Sequence, residues 1–232
     1  MVTNQQADNT VVNLSKISKT YGFTAALKNI SLSIETGETI GLIGNNGAGK
    51  STLLKIIALL VSPSSGNMEF SGVDVKDRKA VLKKDMEVLL SHAFLFDDLT
   101  GRENLEYYFK MNKRISNPKQ AVKEIVKQFN LKLYIDRPVR EYSTGMAKKL
   151  EILRVSYPTL PKVLLLDEPF SGLDVENRKM LHTIIKDHPP NKTVIICSHD
   201  FNAIAQLCSR VYYLEKGRIS QSYLPNEYDQ FL

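Results

Sequence analysis

The residue pattern is that of an α/β protein with a parallel-sheet core, an N-terminal antiparallel β lobe and an inserted α-helical subdomain. Three features point to it. Strand-like runs dominate the first third, helical three- and four-residue spacing takes over from about residue 99 to 158, and continuous apolar runs then return around a further helical stretch.

The first ten residues, MVTNQQADNT, are polar and read as a flexible lead-in. The stretches VVNLSKISKTYG and SLSIETGETIGLIG alternate or run apolar and close in Gly-containing turns, as strands do. Thr39 to Ile43 reads as a buried strand, Gly44 to Gly49 as a turn, and Lys50 onward as a helix that turns Leu53, Leu54, Ile56 and Ile57 toward a core. A Pro/Ser/Gly turn followed by a short strand is expected from VSPSSGNMEFSGVDV, and MEVLLS reads as another strand. Helices follow in GRENLEYYFKMN, PKQAVKEIVKQFN and STGMAKKLEILRVSY, with Pro118 near a helix start. KVLLLDEP and KTVIICSHD are unbroken apolar runs, the mark of parallel strands covered on both faces, and DVENRKMLHTIIKDH between them suits a crossover helix. The expected organisation is one domain over 11–232, with a core lobe from 11–98 and 159–232 and the helical subdomain over about 99–158.

A chain of 232 residues that is 43% hydrophobic can bury one substantial core. No run approaches the roughly 18 apolar residues of a membrane span, and the N-terminus lacks a signal-peptide apolar segment, so a cytoplasmic protein is expected. Cys197 and Cys208 have no metal or redox spacing and read as small buried hydrophobes. The net charge of +6 is compatible with an anionic partner such as nucleotide, lipid headgroups or nucleic acid, and is too evenly spread to choose among them.

The most specific motif is GLIGNNGAGKSTLL, a phosphate-binding P-loop. Gly44, Gly47 and Gly49 admit loop conformations closed to other residues and bring backbone N–H groups near phosphate oxygens, at the positive end of the new helix. Lys50 supplies a point charge to the β- and γ-phosphates, and the Ser51 hydroxyl is placed for Mg²⁺. By average composition such a match arises by chance in roughly one per cent of chains this long, and the strand–turn–helix context lowers that further. The core is therefore that of a P-loop NTPase. Val163 to Leu166 ends in Asp167 and Glu168, at the C-terminal end of a buried strand where ligands of open α/β sheets collect. Asp167 suits Mg²⁺, and Glu168 is placed to deprotonate a water attacking the γ-phosphate. His199, just beyond TVIICS, could bond the γ-phosphate or that water.

These motifs, with EYSTGMAKKL before VLLLDEP and then SGLD and SHD in that order, resemble the ATP-binding subunits of ABC transporters from Tyr21 to about Gly217. The resemblance implies ATP and Mg²⁺ as cofactors, with Asn45, Asn46, Gly47, Ala48, Gly49, Lys50, Ser51 and Thr52 around the phosphates. It places Tyr21 against adenine, and Ser143 and Gly145 on the γ-phosphate of the nucleotide held by a second subunit. Asp174, closing SGLD, falls in the loop that runs between subunits, and is equally an ordinary helix N-cap. The family's glutamine after the strand matching MEVLL is missing: Ser91 or His92 stands there, the first reaching Mg²⁺ only through water and the second a poor ligand for it. Met146 replaces another common glutamine, as in exporter-like YSxGM forms.

The implied protein is a Mg²⁺-dependent ATPase, a homodimer or heterodimer of ATPase subunits that drives transport through a separate transmembrane permease subunit, at the inner face of the cell membrane. Export is the direction suggested by YSTGM and by the lack of a regulatory domain after Gly217. HAFLFDDLTGRENLEYYF reads either as a docking segment or, residue by residue and with equal weight, as buried packing within the helical lobe, and no nucleic acid is expected. The alternatives are a soluble ABC-type ATPase acting on ribosomes or DNA, against which stands the absence of tandem units and sustained heptads, and a weakly hydrolysing nucleotide-gated module.

Overall fold

The structure, a computed structural model, describes residues 9–76, 82–90, 94–111, 115–156 and 161–231. Its centre is a six-stranded sheet built from β3 (Thr39–Ile43), β6 (Met86–Leu89), β7 (Val163–Asp167), β8 (Thr193–Ser198), β9 (Arg210–Glu215) and β10 (Arg218–Tyr223), in the order β10-β9-β3-β8-β7-β6. All neighbours are parallel except β10, which pairs antiparallel with β9. Every residue of β3, β7 and β8 is buried, which is why these strands read as unbroken apolar runs rather than alternations.

Strand alternation sends successive side chains to opposite faces. Val163 and Leu165 of β7, with Ile195 and Cys197 of β8, join one core, while Leu164 and Leu166, with Val194 and Ile196, join the other. The first core is closed by helix α1 (Lys50–Ile57), through Leu53, Leu54, Ile56 and Ile57, and by a four-stranded antiparallel sheet. That sheet has the order β2-β1-β4-β5, from β1 (Thr10–Tyr21), β2 (Thr24–Glu35), β4 (Ser65–Phe70) and β5 (Val73–Asp74). The segment expected to hold one short strand thus forms a hairpin of two, because Ser71 and Gly72 both take positive φ and turn the chain back. The second core is closed by α5 (Val175–Lys186) through Leu181 and Ile185, and by α6 (Asn202–Ala205) through Ile204.

Between β6 and β7 the chain leaves the sheet to form α2 (Gly101–Met111), α3 (Pro118–Gln128) and α4 (Thr144–Ser156). Asn117 caps α3 by accepting from the Gln120 amide, and Pro118 opens it where no donor is needed. The lobe has its own core, built on Leu105, Phe109, Val122, Ile125, Leu131, Ile135, Leu150 and Leu153. Helix α4 serves two cores: Leu150 and Leu153 face the lobe, and Ile152 and Val155 face the sheet. No helix among the described residues is long and apolar enough to cross a membrane.

Phe109 is fully buried in the helical lobe. Phe109→Ala is expected to lower unfolding stability by about 3–5 kcal/mol, the cost of a large core truncation, in urea titrations followed by circular dichroism; a change below about 1 kcal/mol would contradict this packing.

Candidate functional site

The register of three neighbouring strands assembles the site. Ile43 of β3 lies opposite Ser198 of β8, and Asp167 of β7 lies opposite Cys197, so the loops leaving β3, β7 and β8 start from the same edge of the sheet. The loop after β3 crosses Gly44 at φ 146° and Gly49 at φ 109°, in the region that favours glycine. A Cβ on Gly44 would come within 2.2 Å of the Leu214 carbonyl oxygen, and one on Gly49 within 2.7 Å of that of Ala26. Asn45, Asn46 and Gly47 form an exposed rim, whereas Ala48 is buried and its carbonyl accepts from the Gly217 amide at 3.0 Å. No side chain caps α1, which leaves the amides of its first turn, including those of Ser51 and Thr52, available to an anion.

Lys50 is 6% exposed, and its ammonium donates to the carbonyls of Gly44 at 2.6 Å and Asn45 at 3.4 Å. Glu168 Oε1 stands 3.8 Å from the same nitrogen, and Glu168 Oε2 lies 2.9 Å from Nδ1 of His199. Glu168 takes φ 48°, a strained conformation for a residue with a side chain, and its amide is pinned to the Cys197 carbonyl at 2.9 Å. The Ser51 hydroxyl donates to Asp167 Oδ1 at 3.0 Å. Lys50, Ser51, Asp167, Glu168 and His199, far apart in sequence, therefore converge on one face of the loop. Burial keeps both thiols well above their usual range, with that of Cys208 pushed up to about 12, as suits Cys197 and Cys208 as packing residues.

The other candidates make no hydrogen bond to this cluster among the described residues. Ser143 starts α4, accepting from the Met146 amide at 3.2 Å through its hydroxyl and from the Ala147 amide through its carbonyl. A Cβ on Gly145 would meet nothing within 4 Å, so no neighbour among the described residues demands glycine there. Asp174 caps α5 through the Asn177 amide at 2.8 Å. Tyr21 is 48% exposed with Lys19 Nζ 5.0 Å from its ring centre, leaving a ring surface open to stacking. Ser91 and His92 lie outside the described residues.

The family model for ABC transporters matches residues 27–171, well over half the chain. The chain belongs to the ABC transporter family. This ABC protein is 33% identical over 199 residues to the ABC transporter ATP-binding protein NatA of Bacillus subtilis, covering 84% of this chain and 80% of NatA. It is also 33% identical over 211 residues to a probable sulfate/thiosulfate import ATP-binding protein CysA of Chlorella vulgaris, covering 90% and 89% of the two chains. Its fold superposes with a TM-score of 0.83 on an ATP-binding cassette solved as a dimer in a post-hydrolysis state with ADP and Pi, at 25% identity over 92% of this chain and 98% of that one. The cassettes share the P-loop NTPase core with its parallel sheet.

Reading the sequence missed a polar cluster on the signature helix α4 of this ABC cassette. Burial lowers the Lys148 ammonium from its ordinary value while Glu151, Asp167 and Glu168 act to raise it, so Lys148 lies within electrostatic reach of the carboxylate pair. Glu151 is 1% exposed and Arg154 is 7% exposed. The signal was present as a charged i, i+3 pair inside the apolar stretch KLEILRV, but spacing alone cannot say where such a pair points.

Burial raises the Asp167 carboxyl above its ordinary value and the charge of Glu168 adds to this, while Ser51, Lys55 and Lys50 act in the opposite sense. The native protein therefore holds this proton more tightly than the unfolded chain does, and stability falls as pH rises from the ordinary carboxylate range through the raised value. Asp167→Asn is expected to raise the thermal midpoint of the nucleotide-free protein at pH 7, with the gain shrinking on acidification; a lower midpoint at pH 7 would contradict this.

Proposed function

We propose that the chain is the ATP-binding and hydrolysing subunit of an ABC transporter, and that it works as a head-to-tail dimer whose two nucleotide sites are each shared between copies. The observation that carries this is that the candidate residues form two groups with no hydrogen bond between them among the described residues. Lys50, Ser51, Asp167, Glu168 and His199 gather at the P-loop, while the exposed start of α4 at Ser143 and Gly145 bonds only within its own helix among the described residues. A transferring γ-phosphoryl group needs charge compensation around all its oxygens, and one copy offers it from one side.

On this reading, Lys50 exchanges its loop carbonyls for phosphate oxygens and the uncapped amides of α1 receive the rest of the phosphate chain. Tyr21 stacks on the base. The Ser51 hydroxyl and the Asp167 carboxylate are paired hard oxygens, the donor type Mg²⁺ takes, and they are the residues that would hold it, where it would neutralise charge between phosphates. Glu168 accepts a proton from the attacking water, and His199, bonded to the other oxygen of the same carboxylate, keeps it turned toward that water. ATP bridging the P-loop of one copy and α4 of the other holds the dimer closed, and hydrolysis releases it.

The partner is a separate membrane-spanning subunit that recruits the cassette to the inner face of the membrane. Phe94, Phe96, Tyr107 and Met111 are each more than half exposed, Phe96 and Tyr107 meet edge to face at 5.3 Å, and an open groove runs beside them along Leu99, Glu103 and Lys110. Exposed aromatics grouped in this way suit a protein interface. Met146 in the signature stretch supports export as the direction.

Glu168→Gln is expected to lower Mg·ATP turnover by at least about 100-fold, the value of a general base, and to leave an ATP-dependent dimer on size-exclusion chromatography. An unchanged rate, measured with the membrane partner present, would overturn the catalytic assignment.

A further inference from the structure

We propose that the buried Glu151 and Arg154 of α4, together with the half-buried Tyr108 of α2 and Glu87 of β6, form a polar clamp that sets where the Ser143–Gly145 end of α4 stands relative to the catalytic sheet. They are positioning residues for the half-site that a second copy of this chain completes, so the inference rests on the shared-site reading above.

The clamp can be followed bond by bond. Glu151 Oε1 accepts the backbone N–H of Phe94, on the segment that follows β6. The same oxygen lies 3.8 Å from Arg154 Nη2. The Arg154 guanidinium sits 4.3 Å from the centre of the Tyr108 ring, and the Tyr108 hydroxyl donates to Glu87 Oε2. Glu87 pairs with Leu164 on β7, three residues before Asp167. The route from the signature helix thus ends on the strand pair that leads to the hydrolytic carboxylates.

Stability alone gives no reason for charges here. Glu151 and Arg154 are both nearly buried, and an apolar substitute would avoid the desolvation cost of two such ions. Burial in fact raises the Glu151 carboxyl above its ordinary value, and Arg154 Nε is buried without a hydrogen-bond partner among the described residues. What the polar pair adds is direction: a hydrogen bond to one amide and a cation over one ring fix both the register and the rotation of α4, which apolar contacts leave loosely specified.

The test uses the Glu168→Gln protein as parent and compares it with the same protein carrying Tyr108→Phe, Tyr108→Leu or Glu151→Gln. Three quantities are read: the thermal midpoint, the affinity of the monomer for a fluorescent ATP analogue, and the dimer dissociation constant at saturating ATP by sedimentation. Tyr108→Phe keeps the ring under Arg154 and removes only the hydroxyl. It is expected to fold, to bind the analogue within about twofold of the parent, and to weaken the dimer by roughly 3- to 10-fold, the value of one hydrogen bond. Tyr108→Leu removes the ring as well and is expected to weaken it further. Folded variants that dimerise with the parent's constant overturn the clamp, and Tyr108→Phe keeps that outcome within reach should Glu151→Gln not fold. A parent that stays monomeric in ATP overturns the shared-site reading itself, and the clamp with it.

Discussion

A buried cation whose ion contact within its own chain is a long one is the constraint around which this site is arranged. Lys50 keeps its ammonium almost out of water, held by the carbonyls of Gly44 and Asn45, with the nearest carboxylate oxygen at 3.8 Å. Carbonyl dipoles satisfy its donors, and the one carboxylate at that distance is shared with His199, so the site can take further negative charge. The loop that holds the cation, Gly44 to Gly49, supplies no acidic side chain of its own. Gly44 and Gly49 leave no room for a Cβ, and Gly49 offers no side-chain cap to the helix that follows it. A triphosphate fits both deficits at once.

The carboxylates opposite obey the same logic with the sign reversed. Asp167 is buried next to a like charge, which raises its pKa and costs the nucleotide-free protein stability. Glu168 holds a strained backbone, pinned by the Cys197 carbonyl, so that one oxygen can face Lys50 and the other His199. Such features persist because the parallel sheet around them is rigid and fully buried. Function here draws on stability supplied by the two cores on either side of the sheet.

Most of the sheet was legible because its signals are local. An unbroken apolar run such as VLLL or VIIC has few homes other than a strand covered on both faces, and the P-loop carries its turn and helix within one short stretch. The hairpin turn at Ser71 and Gly72 escaped because a positive φ at serine has no strong sequence mark. The α4 cluster escaped for a different reason. Phe94 and Glu151 are 57 residues apart and Glu87 and Tyr108 are 21 apart, so their pairing is a property of the folded chain. Helix α4 was also the least clearly periodic of the helices, since it buries residues in two directions and keeps a charged pair inside.

In the proposed dimer each nucleotide site is built from two copies, with Lys50 from one and Ser143 and Gly145 from the other. The most direct measurement mixes two inactive proteins, one carrying Lys50→Ala and the other Gly145→Asp, and follows Mg·ATP hydrolysis as their ratio is varied. Each alone pairs every P-loop with a defective counterpart or is itself defective, whereas a mixed dimer contains one site with both halves intact. Activity is expected to rise well above the sum of the two and to peak near equal amounts. A mixture no more active than that sum, with both proteins folded and able to associate, would contradict the shared site.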